Sequence, residues 1–124
     1  MQEILLAVYG TLKQGNDNYE TYLAPKKPKF KGYFDVKFRM FSNGKYPMLI
    51  PSYTSHKIYL EVYYIDQDQF DRINDLEEPF GYHVRSIETE GVDKPMMIYA
   101  VDQKNPPDGF ETVDNGNFQA TVKW

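Results

Sequence analysis

The sequence predicts an α+β fold, a curled or closed sheet with a helix packed on it. Several segments alternate apolar and polar residues with the period of two that a half-buried strand requires. One segment, opening at Asp66, carries a capped amphipathic helix. The aromatic complement, 11 Tyr and 8 Phe in 124 residues, supplies the bulk of a core without any need for staples. That length corresponds to one domain spanning residues 1–124.

The elements follow in order. Ile4-Leu5-Leu6-Ala7-Val8-Tyr9 is a short continuous apolar run ended by Gly10, the pattern of a central strand buried on both faces. A second short helix is expected between Asn16 and Leu23. From Phe30 to Met40 the even positions are Phe30, Gly32, Phe34, Val36, Phe38 and Met40, and polar residues fill most positions between them, a long half-buried strand. Ser42-Asn43-Gly44-Lys45 supplies a turn, and the prolines of Tyr46-Pro47-Met48-Leu49-Ile50-Pro51 confine that stretch to an edge or an irregular extended path. Ile58, Leu60, Val62 and Tyr64 mark the next strand. Asp66 with Gln69 three residues on opens the helix, and Phe70, Ile73 and Leu76 form its apolar stripe. After Gly81, residues 82–90 and 96–103 read as a hairpin joined by Gly91-Val92-Asp93-Lys94-Pro95. The turn-rich tail from Asn105 is expected to wrap the surface.

Composition excludes several kinds of chemistry. The absence of cysteine removes disulfides, thiolate nucleophiles and Cys-ligated zinc or iron–sulfur sites. A formal net charge of −4 opposes attraction to phosphate backbones and anionic membranes, so neither nucleic acid nor membrane is an expected partner. No apolar run reaches membrane-spanning length, and the acidic start Met1-Gln2-Glu3 is unlike a secretory signal. A soluble, cytoplasmic protein is expected. His56 and His83 lack carboxylates at ligand spacing, and Lys26-Lys27-Pro28-Lys29-Phe30-Lys31 suits a solvated strand edge.

Two places are suited to chemistry. The glycine-punctuated turn Tyr9-Gly10-Thr11-Leu12-Lys13-Gln14-Gly15 leaves a buried strand, so its backbone N–H groups lie beyond the strand ladder and are suited to an anionic ligand group such as a carboxylate. The same residues also suit a plain strand-to-helix turn, and they are not a P-loop. The other place is Glu77. At about 100° per residue it falls about 40° from the centre of the Phe70–Ile73–Leu76 stripe, and Glu78 falls about 140° away. Glu77 therefore points inward and Glu78 to water. A carboxylate at the end of a core-facing stripe loses hydration, which raises its pKa and suits proton transfer near neutrality. A frayed last turn that lets Glu77 reach solvent is the other reading. Tyr46, Tyr59, Tyr63, Tyr64, Tyr82 and Tyr99 are mostly core or half-buried strand residues, of which one or two lend a hydroxyl to a pocket.

Tyr9-Gly10-Thr11-Leu12-Lys13-Gln14-Gly15 after an apolar strand, Gly44-Lys45-Tyr46-Pro47, and Ile73-Asn74-Asp75-Leu76-Glu77 followed by Gly81-Tyr82 and Arg85 together resemble the gamma-glutamylcyclotransferase family, with the gamma-glutamylamine cyclotransferases as the most similar branch. The resemblance runs from residue 4 to about residue 102 and extends weakly to Asn115-Gly116-Asn117-Phe118. It implies a small mixed β-barrel with one or two flanking helices. It assigns the binding of a glutamyl α-carboxylate and amine to Tyr9, Gly10, Thr11 and Leu12, catalysis to Glu77, and pocket lining to Tyr82. Two positions depart from the family pattern: Glu78 stands where a glycine is usual, and Tyr82-His83-Val84-Arg85 has one residue more than Tyr-x-Arg, which a bulge would absorb.

The implied reaction is intramolecular. A γ-glutamyl group carries its own nucleophile, the α-amine, which closes a five-membered ring on the γ-carbonyl and releases 5-oxoproline and a free amine or amino acid. One carboxylate serves both proton transfers, loop amides hold the substrate, and no metal or organic cofactor is required. The alternative is a noncatalytic small-molecule-binding or interaction protein on the same barrel. An inward acid favours the enzyme, because a cavity without it would lack an evident base.

Overall fold

The computed structural model describes residues 4–10, 12–13, 19, 22–23, 26–88 and 94–118. They form strands β1 (Ile4–Val8), β2 (Phe30–Ser42), β3 (Pro47–Ile65), β4 (His83–Ile87), β5 (Met96–Ala100) and β6 (Glu111–Thr112), with helix α1 (Gln67–Glu77) and a 3-10 turn (Glu78–Phe80) between β3 and β4. The strands make one mixed sheet in the order β4-β5-β1-β3-β2-β6, with β1 and β5 parallel and the other pairs antiparallel. The sheet curls into a half-barrel. Its curl comes from β2 and β3, too long to stay flat. Their register shifts between Val36 and Phe38, opposite Pro51, the kind of irregularity that bends a strand and sharpens its twist. The bend returns the start of β3 to the far side of the sheet, where Val101 N–H donates to the Leu49 carbonyl at 3.1 Å.

β1 is central and buried on both faces, as its unbroken apolar run predicts. Leu5, Ala7 and Tyr9 face the concave core with Phe38, Met40, Leu60 and Ile98, whereas Leu6 and Val8 pack on the other face with Tyr63, Ile65, Tyr99 and Ile73 of α1. α1 starts where its capping residues place it. The Asp66 carboxylate accepts from the Gln69 N–H at 2.8 Å, and the Gln69 side chain returns a contact to the Asp66 N–H at 3.3 Å.

The structure alters two expectations. Residues 47–51 are not an irregular edge but the first part of β3, paired with β2 on one side and touching Val101 on the other. The prolines fit because Pro47 opens the strand and Pro51 stands at the register shift, the two places where a missing N–H is tolerated. The tail does run over the surface from Asn105 to Asn115, as expected, but it also joins the sheet and the core. Glu111–Thr112 pairs with Phe41 and Ser42 of β2, and Phe118 is buried in the concave core. The hairpin of β4 and β5 is present, with residues 89–93 of its connection lying outside the described residues. The second helix falls mostly outside them as well; of it, Leu23 N–H donates to the Tyr19 carbonyl at 2.9 Å.

Two contacts hold the tail. Lys13 is buried, and its ammonium donates to Asn117 Oδ1 at 2.8 Å and to the Phe118 carbonyl at 2.6 Å. Burial lowers its pKa and the buried Glu61 carboxylate acts in the opposite direction. Gly116 lies against β3, its carbonyl accepting from the Tyr59 N–H at 2.8 Å, with a positive φ of 68°. A Cβ built there meets the Lys57 carbonyl oxygen at 1.9 Å, and backbone cannot step aside. Gly109 also has positive φ, 87°, but open space around it. Gly109→Ala is therefore expected to cost about 1–2 kcal/mol, the left-handed strain alone, and Gly116→Ala more than about 3 kcal/mol. Thermal unfolding of the two variants side by side checks the order; equal losses would mean that the approach to Lys57 carries no weight.

Candidate active site

Three segments distant in sequence meet at the end of β1. Tyr9 leaves the strand with its ring in the concave core, and its hydroxyl donates to the Tyr99 carbonyl of β5 at 2.5 Å. Gly10 comes next, against the Pro47 ring. A Cβ built on Gly10 lies 2.8 Å from Pro47 Cγ, so the strand-end loop and the start of β3 touch this closely only because residue 10 is glycine. The Tyr82 hydroxyl closes the same corner by donating to the Pro47 carbonyl at 2.6 Å. Tyr82 reaches it because Gly81, at φ 88°, reverses the chain after the 3-10 turn, and Tyr82 N–H then meets the Glu77 carbonyl at 3.4 Å.

These segments enclose a cavity of about 380 Å³, within the range of small-molecule sites. Tyr9, Gly10, Leu12, Tyr46, Glu77 and Tyr82 all line it. All the sequence-derived site residues are thus gathered around one space except Thr11, which lies outside the described residues.

Glu77 is the acid of this space. Desolvation by burial pushes its carboxyl up to about 7, and among the described residues no ion pair offsets that loss of hydration. Burial also raises the phenols of Tyr9, Tyr82 and Tyr99, and the Glu77 charge adds to each shift. All three remain neutral hydroxyls, with Tyr99 donating to Asn74 Oδ1 at 3.1 Å. The cavity therefore combines one carboxyl poised near neutrality with phenolic hydroxyls already engaged in holding its walls.

Glu78 behaves oppositely, as helical phase predicts. It is exposed, and its carboxylate lies 3.0 Å from His83 Nδ1. Arg85 is not among the lining residues; its guanidinium pairs with Asp102. Sequence reasoning did not find Met48, Leu76, Phe80 and Phe110 as lining residues, and it left Tyr99 as one of six tyrosines that could lend a hydroxyl to a pocket. Tyr99 carries a signal, since its alternation with Ile98 and Ala100 puts it on the α1 side of β5. Phe110 carries none, because only the pairing of β6 with β2 brings it here.

Residues 6–120 match the family model described as gamma-glutamyl cyclotransferase, AIG2-like. None of the curated proteins matches the chain. Among solved structures, an uncharacterized protein of Pyrococcus horikoshii is similar at a TM-score of 0.74 and 23% identity, over 93% of this chain and 89% of that one. An AIG2-like protein of Mus musculus is similar at 0.70 and 20% identity, over 98% and 92%. Kluyveromyces lactis allophanate hydrolase contains the same fold, at 0.77 and 18% identity, over 95% of this chain and 21% of that larger one. These likenesses establish the fold, and the match over residues 6–120 establishes the family: the chain belongs to the gamma-glutamyl cyclotransferase, AIG2-like family.

Proposed function

We propose that the protein cyclises a γ-glutamyl compound, releasing 5-oxoproline and the free amine, with Glu77 moving the protons. The observation that carries this reading is a carboxyl held at about 7 in the cavity that the Tyr9–Gly10–Leu12 loop borders. A base with that pKa is matched to operating near neutral pH.

In this reading the backbone of the loop at Tyr9, Gly10, Thr11 and Leu12 holds the glutamyl α-carboxylate, and Tyr46 and Tyr82 shape the space around the side chain. The bound γ-glutamyl chain is folded so that its α-nitrogen faces its own γ-carbonyl carbon, which replaces a bimolecular encounter by a ring closure. Glu77 takes a proton from the α-ammonium, and the freed nitrogen attacks the carbonyl carbon. The new C–N bond closes the lactam, and the old C–N bond to the leaving amine breaks. The ring nitrogen keeps one of its three hydrogens; the departing nitrogen takes up the other two, Glu77 acting as the relay, and leaves as an ammonium ion.

Glu77→Gln keeps the shape and removes the base, so kcat/KM for 5-oxoproline release is expected to fall by about 10²–10⁴-fold. The wild-type profile should rise with pH through about 7, as the carboxylate forms, and the residual activity of the variant should lack that limb. Glu78→Gln, on the exposed side, should change the rate less than about threefold. Equal losses in both variants would overturn the assignment, and γ-glutamyl binding without turnover in the wild type would favour a noncatalytic binding protein.

Stability gives an independent check. With its folded pKa above its ordinary value of 4.5, Glu77 contributes stability fully below that value and loses it as pH rises through about 7. Gln does not titrate. The variant should therefore gain on the wild type between pH 5 and pH 8, by on the order of 2–3 kcal/mol, read as a widening difference in Tm. A structural, hydrogen-bonded carboxylate would instead make the variant less stable at pH 8 by about 1–3 kcal/mol.

A further inference from the structure

Four phenols line the cavity with Glu77: Tyr9 at the end of β1, Tyr46 in the β2–β3 turn, Tyr82 after the 3-10 turn and Tyr99 of β5. The rest of the lining is mostly apolar, Ala7, Val8, Leu12, Met48 and Leu76 among it. A phenol has one proton to donate, and an ionised carboxylate is a stronger acceptor than a neutral amide oxygen. Three of the four nevertheless donate elsewhere: Tyr9 to the Tyr99 carbonyl at 2.5 Å, Tyr82 to the Pro47 carbonyl at 2.6 Å and Tyr99 to Asn74 Oδ1 at 3.1 Å. The first two acceptors are backbone. The third is a side chain to which the reaction has so far assigned no part.

Asn74 and Glu77 stand three residues apart on α1, so their side chains are neighbours on one face of the helix. The Tyr99 hydroxyl, held at Asn74, is therefore about one helical turn from the acid, near enough that the Glu77 charge acts on it. The ring is fixed: Tyr99 is buried and packs with Leu6, Val8 and Ile73. The Asn74 backbone is pinned as well, its carbonyl accepting from the Glu78 N–H at the helix end. Were Asn74 to offer no acceptor, the hydroxyl of a buried ring would keep an unused proton, and the Glu77 carboxylate is the acceptor one turn on.

We propose that Asn74 is a positioning residue for the reaction: it accepts the Tyr99 hydroxyl proton and so keeps that phenol from capping the Glu77 carboxylate, which must take its proton from the substrate. The inference deepens the cyclotransferase reading, on which its consequence for the rate rests. A donated hydrogen bond favours the ionised form of a carboxyl and lowers its pKa. A capped Glu77 would ionise at lower pH and would be the weaker base, with one acceptor site occupied. The remaining charges near the pair are Glu78 and Asp71, both exposed, and both act on Tyr99 in the sense that keeps it protonated.

The test follows the Glu77 carboxyl of the full chain by the NMR signal of its carboxyl carbon, assigned by its absence from Glu77→Gln, beside 5-oxoproline release from a γ-glutamyl amide across pH. The wild-type carboxyl is expected to titrate at about 7. In Asn74→Leu, similar in size but without an acceptor, the midpoint should fall by about one unit, the effect of one donated hydrogen bond, and the rising limb of kcat/KM should move with it. Asn74→Ala should shift the same way and serves where the leucine variant does not fold. Tyr99→Phe removes the donor and should leave the midpoint within about 0.3 unit of wild type; combined with Asn74→Leu it should bring the midpoint back there. A merely structural Asn74 would lower activity at every pH with the midpoint in place. That fixed midpoint, a lowered one that persists in the double variant, or a wild-type midpoint near 4.5 overturns the inference. The expected titrations without release of 5-oxoproline from any γ-glutamyl compound would overturn the cyclotransferase reading and leave Asn74 as the residue that keeps the carboxylate uncapped.

Discussion

Burial of β1 on both faces is the constraint on which the rest of this molecule depends. A strand with apolar residues at every position cannot lie at a solvent-facing edge, so it must have strands on either side and layers above and below. β3 and β5 supply the neighbours, the curled β2–β3 ribbon closes one face, and α1 with Tyr63 and Tyr99 covers the other. Because a strand buried on both faces cannot slip by one residue without exposing half its side chains, the point at which it stops is equally determined. That point, Tyr9-Gly10, is where the cavity begins.

The cavity arises from mismatched lengths. β1 has five residues and β3 nineteen, so β3 continues well past the strand it pairs with, bends, and brings Pro47 back over Gly10. α1 packs across the opposite face of β1 through Ile73, and its last residue, Glu77, emerges beside the same strand end. A carboxylate there has lost water, and among the described residues no cation pairs with it. The arrangement costs stability when the group is ionised. The neighbouring phenols donate to the Tyr99 and Pro47 carbonyls and to Asn74, which fixes the walls without neutralising the acid.

The tail completes the fold in a manner that short-range patterns hide. Lys13 is a buried cation just beyond the strand-end loop, and it is bound by the carbonyl of Phe118 and the amide oxygen of Asn117, more than a hundred residues away in sequence. The loop that borders the cavity and the segment that plugs the concave core are thus tied by one ammonium group. Gly116 allows that segment to lie directly on the β3 backbone.

Local chemistry in the sequence was sufficient for the elements whose residues act on their near neighbours. The doubly buried strand, the period-two runs, the Asp66–Gln69 cap and the opposite faces taken by Glu77 and Glu78 all follow from spacings of one to four residues, where backbone geometry alone decides direction. The resemblance carried by scattered motifs linked Tyr9–Leu12, Tyr46–Pro47 and Glu77–Tyr82 before any contact between them was visible. What only the tertiary structure decided were the pairings that depend on chain reversal over long distances. These are the joining of 47–51 to 58–65 as one bent strand, the placement of Arg85 against Asp102, the burial of Lys13 and Phe118, and the arrival of Phe80 and Phe110 at one rim. Each rests on surface exposed or covered by a partner many residues away, and no local pattern records which partner a closing sheet will bring.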